Sequence, residues 1–192
     1  AAVQQLHTEP SFRDDLREIA EWRVDRAPPV TANDTIPLDL HAAYGTEEVV
    51  TALGLSNWTQ NVAPGKGVFH DPENKRYIHL FTFQKSERDF IPSTQYHDDL
   101  ISRKLLQWES QNGASQSSPT GQNYLNFPDN GYQILFFAKL TKKHESKETA
   151  PFIYLGEAKR RLSAEGNSPI KLLWELEHPV PAELFEAVKL GG

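Results

Sequence analysis

Cysteine is absent from this chain of 192 residues, and so is methionine. Without cysteine there are no disulfides, no thiolate metal sites and no thiol nucleophile. Nothing in the composition points to an oxidising compartment, so a reducing cytoplasm is the expected location. No apolar run approaches the roughly 20 residues that a membrane helix needs, and a secretory signal pattern is missing. The lack of methionine even at position 1 suggests a processed product or an excised piece of a larger protein. A surplus of positive charge is missing too. The formal net charge is −6, whereas a non-specific nucleic-acid binder is usually basic.

What is present is ordinary globular material. Ten Phe, six Tyr and four Trp put rings in the core, and 13 Pro with 11 Gly imply many turns. Charge is uneven. Lys139, Lys142, Lys143, Lys159, Arg160, Arg161 and Lys171 gather in the last third, which allows a local basic face on an acidic molecule.

Residues 11–26 read as an amphipathic helix capped by Ser11, with Phe12, Leu16, Ile19, Ala20 and Trp22 on its apolar face. Pro28-Pro29 stops it. Residues 1–35 are therefore expected to be an N-terminal helix and linker, and 36–192 a single globular reader-type domain. A second helix starts at Thr46, the expected cap, and ends at Gly54. Val68–His70 and Tyr77–Phe83 flank a turn-rich segment and read as a hairpin. Further strands are expected at Leu105–Ser110, Tyr132–Leu140, Phe152–Leu162 and Ile170–Leu176, then a closing helix from Pro181 with Leu184, Phe185, Val188 and Leu190. Strands with few helices between them argue against βαβ crossovers. The expected class is α+β: a mainly antiparallel sheet, curled or barrel-like, with helices at the N- and C-terminal ends. Thr141–Thr149 reads as a charged hairpin tip.

The nucleophile-elbow and phosphate-loop patterns are missing. His70, Asp71, His79, His97, Asp98 and Asp99 are candidate metal ligands, but no paired-histidine motif accompanies them, so no metal and no cofactor is expected. Tyr96-His97-Asp98-Asp99 admits a hydrolase reading, with His97 as base and Ser86 or Ser110 as nucleophile. Adjacency in sequence does not supply that geometry, and no catalytic residue is assigned.

The most distinctive stretch runs from Lys85 to Tyr124, where hydroxyl, amide and indole groups crowd together. Rings beside amides are what a protein uses to hold a nucleobase or a sugar. Alternation places Leu106, Trp108 and Ser110 on one face of a strand and Gln107, Glu109 and Gln111 on the other. Trp108 is then either core or a stacking platform, and Tyr96 and Tyr124 share the ambiguity. Trp22, Trp58 and Trp174 look structural. Ser118-Pro119-Thr120-Gly121 reads as a tight turn in which the glycine permits a positive φ or a close backbone approach.

At Pro37–His41 with Tyr44, Leu80–Ser86, Pro92–Ser102, Leu106–Asn112, Ser118–Tyr124, Ile134–Phe137, Phe152–Gly156 and Pro169–Pro181, the chain resembles a family. It is the C-terminal domain of bacterial DEAD/DEAH-box (superfamily-two) restriction-type helicases, which often carry a phospholipase-D-type nuclease domain. The resemblance covers about residues 36–190. Asp99 departs from an aromatic residue, and Leu106-Gln107 stands in place of a Phe-His pair. The resemblance implies helicase and nuclease domains in the same polypeptide and antiviral defence by restriction of foreign DNA. Fold-level analogy adds the PUA and SRA folds, which hold a flipped or modified base.

The combined expectation is a cytoplasmic, non-enzymatic DNA-recognition domain that senses a modified or flipped base. Tyr96, Trp108 and Tyr124 would stack on that base. Ser110, Gln111, Asn112 and Gln122 would bond its edge, with His97 and Gly121 beside them. Lys85, Ser86, Arg103 and Lys104 would take phosphates. The alternatives are a protein-interaction scaffold docking on the helicase core, and a His/Asp hydrolase. No membrane partner is expected.

Overall fold

Alternating apolar residues become strands from Val68 onward. The computed structural model describes residues 13–18, 36–55, 67–83, 98–140 and 150–190. Residues 13–18 are helical and solvent-exposed (α1). Strand β1 is Ala43–Tyr44 and helix α2 is Thr46–Ala52. The hairpin strands are β2, Val68–Asp71, and β3, Arg76–Thr82. They are followed by β4, Asp99–Ser102, β5, Leu105–Glu109, and helix α3, Pro119–Leu125. The chain closes with β6, Gln133–Lys139, β7, Phe152–Glu165, β8, Lys171–Leu176, and helix α4, Ala182–Leu190.

The strands form one mixed sheet in the order β2-β3-β6-β7-β8-β5-β4, with β1 added against β7. Among the described residues only β3–β6 is parallel; the other pairings are antiparallel. The path ends at β2 and β4 and does not close, so the sheet is curled but is not a barrel. The expected mainly antiparallel α+β arrangement therefore holds, with one parallel pair that alternation alone cannot reveal. Helices are not confined to the two ends, because α2 and α3 fall between strands.

The parallel pair lies between two apolar clusters, and every residue of Tyr77–Thr82 and of Ile134–Lys139 is buried. Burial on both faces is usual for parallel strands. Tyr77, Phe81, Ile134 and Phe136 face an inner cluster that also holds Leu100, Leu106, Trp108, Tyr124, Leu155, Leu172 and Trp174. Ile78, Leu80, Leu135 and Phe137 face an outer cluster with Val49 and Val50 of α2 and with Ile36 and Leu38. Strand β7 serves both halves of the sheet: Ile153–Glu157 pairs with β6 and Ala158–Glu165 with β8. A register shift between Phe136 and Phe137 on β6 and two more along β7–β8 accompany the change. Gly156, at φ +96°, stands at the junction. Bulges bend strands and increase local twist, and here they accompany the curl around the inner cluster.

Helix ends follow local chemistry. Ser118 caps α3 by accepting the Gly121 N–H at 3.1 Å, and Pro119 takes the first turn. The segment that reads as a tight turn is thus a helix start. In α2 the cap is Gly45 rather than Thr46, and the Glu48 carboxylate accepts the Gly45 N–H at 2.6 Å. Leu184 and Val188 of α4 are buried, whereas Leu190 is 84% exposed and lies off the apolar face. The expectations for Trp22, Trp58 and Thr141–Thr149 lie outside the described residues.

Phe136 is wholly enclosed, so Phe136→Ala is expected to cost ~3–5 kcal/mol. Leu190→Ser should stay within about 0.5 kcal/mol. Urea unfolding followed by tryptophan fluorescence measures both.

Candidate functional site

The structure brings Trp108 and Tyr124 together, but inside the inner cluster. Trp108 is 3% exposed and Tyr124 0%. The two rings meet edge-on at 5.6 Å between centroids. His79 lies parallel to Trp108 at 4.1 Å, where a stacked ligand would have to lie. His79 Nε2 and the Tyr124 hydroxyl are 3.2 Å apart, and Tyr77 packs against Tyr124 at 5.0 Å. These rings form a polar-aromatic core, and stacking a base on them would require the core to open. Trp174 is enclosed as expected.

Burial decides the charge of this cluster. His79 has its pKa pushed down to about 3 by loss of solvent. Tyr124 is raised, first by burial and then by Tyr77. Both are neutral at pH 7. Three buried atoms, His79 Nδ1, Gln111 Oε1 and Trp174 Nε1, lack a hydrogen-bond partner. Such atoms are rare and costly in native cores.

The expected base-edge residues are largely committed to the loop that carries them. The Ser110 hydroxyl donates to Ala114 O at 3.2 Å and accepts from Ile170 N at 2.8 Å. The Asn112 carbonyl accepts from the Ser168 hydroxyl, and Gln122 Nε2 donates to Gln116 O. Asn112 and Gln122 remain exposed, and Gln111 is partly buried. Gly121 satisfies the close-approach expectation: a Cβ there would sit 1.8 Å from Ser115 O. Its task is to let α3 pack on the preceding loop. Lys85, Ser86, Tyr96 and His97 lie outside the described residues.

The remaining expected contacts, Arg103 and Lys104, are exposed at the β4–β5 turn. This turn is laced to the segment after β8. Arg103 Nε donates to Val180 O at 2.7 Å, Val180 N to Arg103 O at 2.8 Å, and Leu176 N to Lys104 O at 2.8 Å. His178 lies on that segment, and its Cδ2 is 4.0 Å from where a Gly156 Cβ would stand. On the other side, His41 N donates to Tyr154 O at 2.8 Å, which ties His41 to the same part of β7. His41, Arg103, Lys104 and His178 thus gather at one end of the molecule. Sequence reasoning found only the middle pair, because the histidines are some 60 to 75 positions away along the chain.

The other catalytic candidates have structural partners. Asp98 is buried, and its Oδ1 accepts from Glu109 N at 3.1 Å. Asp99 binds Lys189 at 2.8 Å. His70 stacks on Tyr77 at 4.4 Å. Among the described residues, no three His, Asp or Glu side chains form a group that could hold a metal. No described helix is long and apolar enough to cross a membrane.

The fold is a mixed α+β domain built on one curled sheet, with a basic end at the β4–β5 turn. The family model described as Domain of unknown function (DUF3427) matches residues 38–188, and the chain belongs to that family. No curated protein matches the chain.

Gly121→Ala should destabilise the protein by at least ~2 kcal/mol, since the clash is with backbone; thermal unfolding gives the value. A second expectation concerns acid. His79 is lowered from 6.5 to about 3, so the unfolded chain binds its proton more readily. Its contribution is complete above about pH 6.5 and is lost at up to about 1.4 kcal/mol per pH unit as pH falls toward 3. The rings facing it are Tyr77, Trp108, Tyr124 and Phe136. In His79→Gln the slope of stability against pH between 6.5 and 4 should flatten, as urea titrations at successive pH values would measure.

Proposed function

We propose that this chain is the DNA-recognition domain of a bacterial restriction or defence helicase-nuclease acting in the cytoplasm. The observation that carries this reading is the basic end formed by exposed Arg103, Lys104 and His178 with half-buried His41 beside them. None of these four side chains is paired with a carboxylate side chain among the described residues. Glu175 lies near Lys104 and offsets part of its charge; on a protein of net charge −6, the basic end that remains is where a phosphate backbone would bind. Helicase and nuclease domains of the same polypeptide are the proposed partners, on the strength of the resemblance. The curled open sheet supports a PUA/SRA-like reading only at the level of architecture.

Base sensing takes a restricted form in this proposal. Trp108 and Tyr124 are enclosed, so a base edge would meet the surface at Asn112 and Gln122, and Gln122 would exchange its bonds to Gln116 and Asn126 for it. A modified or flipped base would be distinguished there rather than between stacked rings.

A scaffold role is the second reading, and one observation favours it. Ile101 is 49% exposed on β4 and borders a depression of about 180 Å³ shared with Gln107, Ser163 and Leu173. A partner domain could cover this outer face.

Fluorescence anisotropy with plain and base-modified duplexes at two salt concentrations separates the readings. The parent protein should bind at low salt and weaken as salt rises. Arg103→Gln/Lys104→Gln should bind about tenfold more weakly and lose about two units of salt slope. If the parent protein ignores every DNA at low salt, the DNA reading fails and the scaffold is favoured.

A further inference from the structure

We propose that His41, Arg103 and His178 form a seat for a phosphate oxyanion. The seat deepens the DNA-recognition reading and relies on it only for the source of the phosphate.

Two independent observations carry the inference. The first is convergence. The β4–β5 turn is bonded to the segment after β8, the segment Leu38–Ala42 is bonded to β7, and Leu40 and His178 flank Gly156. Gly156, at φ +96°, leaves room for Leu40 at 3.0 Å and His178 at 4.0 Å from the absent Cβ. One guanidinium and two imidazoles from three distant parts of the chain are thereby fixed near one another. Protonating the imidazoles beside Arg103 is unfavourable until an anion joins them.

The second observation is His41 itself. Its backbone is left-handed, φ 65°, a conformation uncommon outside glycine and disfavoured by the side chain. Its Nε2 is buried and has no hydrogen-bond partner. A half-buried imidazole in an uncommon backbone state, with one nitrogen unsatisfied, is a donor waiting for an acceptor. Burial lowers the His41 pKa first, and the charges of His178 and Arg103 lower it further. Asp39 and Glu177 are the carboxylates on these segments, Glu157 lies on β7, Glu175 interacts with Lys104, and Lys104 is the remaining cation there. No carboxylate side chain pairs with His41, Arg103 or His178 among the described residues.

A bound oxyanion would accept from His41 Nε2–H, the Arg103 Nη groups and the His178 ring, and would stabilise both imidazolium forms. Binding therefore takes up protons, and affinity rises as pH falls. Sulfate is a suitable probe because its charge stays constant through the histidine range, whereas inorganic phosphate changes its own charge there.

The test is a titration of sulfate and of inorganic phosphate, followed by NMR of the histidine rings. The variants are His178→Gln, which changes an exposed side chain, and His41→Asn, which tolerates the left-handed backbone. Sulfate should shift the His41 and His178 signals in the parent and bind about tenfold tighter at pH 6.0 than at pH 7.5. Each variant should lose at least about tenfold in affinity. Absence of shifts in the parent, or equal affinity in both folded variants, overturns the seat. A short duplex that displaces sulfate identifies backbone phosphate as the source. Sulfate binding without any duplex binding keeps the seat and removes the DNA reading. Duplex binding that ignores sulfate and His178→Gln keeps the DNA reading and removes the seat.

Discussion

The stack of His79 on Trp108 joins strands β3 and β5, which are separated in the sheet by β6, β7 and β8. Side chains so far apart in strand order meet only if the sheet curls through the intervening strands. The curl depends on β7, whose first part pairs with β6 and whose second part pairs with β8. Gly156 and the nearby register shifts make the change of direction possible without breaking the ladder. Everything in the inner cluster follows from that geometry, from the Tyr124 contact with His79 to the burial of Trp174.

The polar atoms in that cluster shape it as much as the apolar ones. A buried neutral histidine and two tyrosine hydroxyls need particular partners. Tyr77 has Asn123 Nδ2 at 3.0 Å, and Tyr124 has His79 at 3.2 Å. Polar cores of this kind favour a single arrangement over many nearly equal ones, because misplacing one ring strands another. The same residues that give the chain a ligand-binding appearance in sequence are thus occupied in holding β3, β5 and α3 together.

Much of the fold is legible in the sequence where periodicity is strong. The hairpin at Val68–Thr82 and the strands around Trp108, Phe136, Tyr154 and Trp174 all show as alternation or short apolar runs. The parallel pairing of β3 with β6 does not, since it depends on contacts some 57 positions apart (Arg76 with Gln133 to Thr82 with Lys139). Helix α3 was hidden because Ser118-Pro119 serves equally as a turn and as a cap with a first helical residue. Of the candidate site, Arg103 and Lys104 stand out as adjacent cations. His41 and His178 carry no local signal; only the folded chain places them beside Arg103. Burial was the harder quantity. Alternation set Leu106, Trp108 and Ser110 on one face but could not say whether that face met solvent, and the answer came from β3 folding over it.

Strand β7 has a further consequence. With 14 residues, it is the central strand that links the two halves of the sheet among the described residues. Removing it would leave β6 and β8 with bare ladders and the inner cluster split. The two halves use different stretches of one continuous strand, Ile153–Glu157 and Ala158–Glu165, and they share the inner cluster, so they are coupled on unfolding through that strand and that cluster. Such coupling makes the architecture a single cooperative unit, in which a disturbance at the base of β7 is felt at both outer edges.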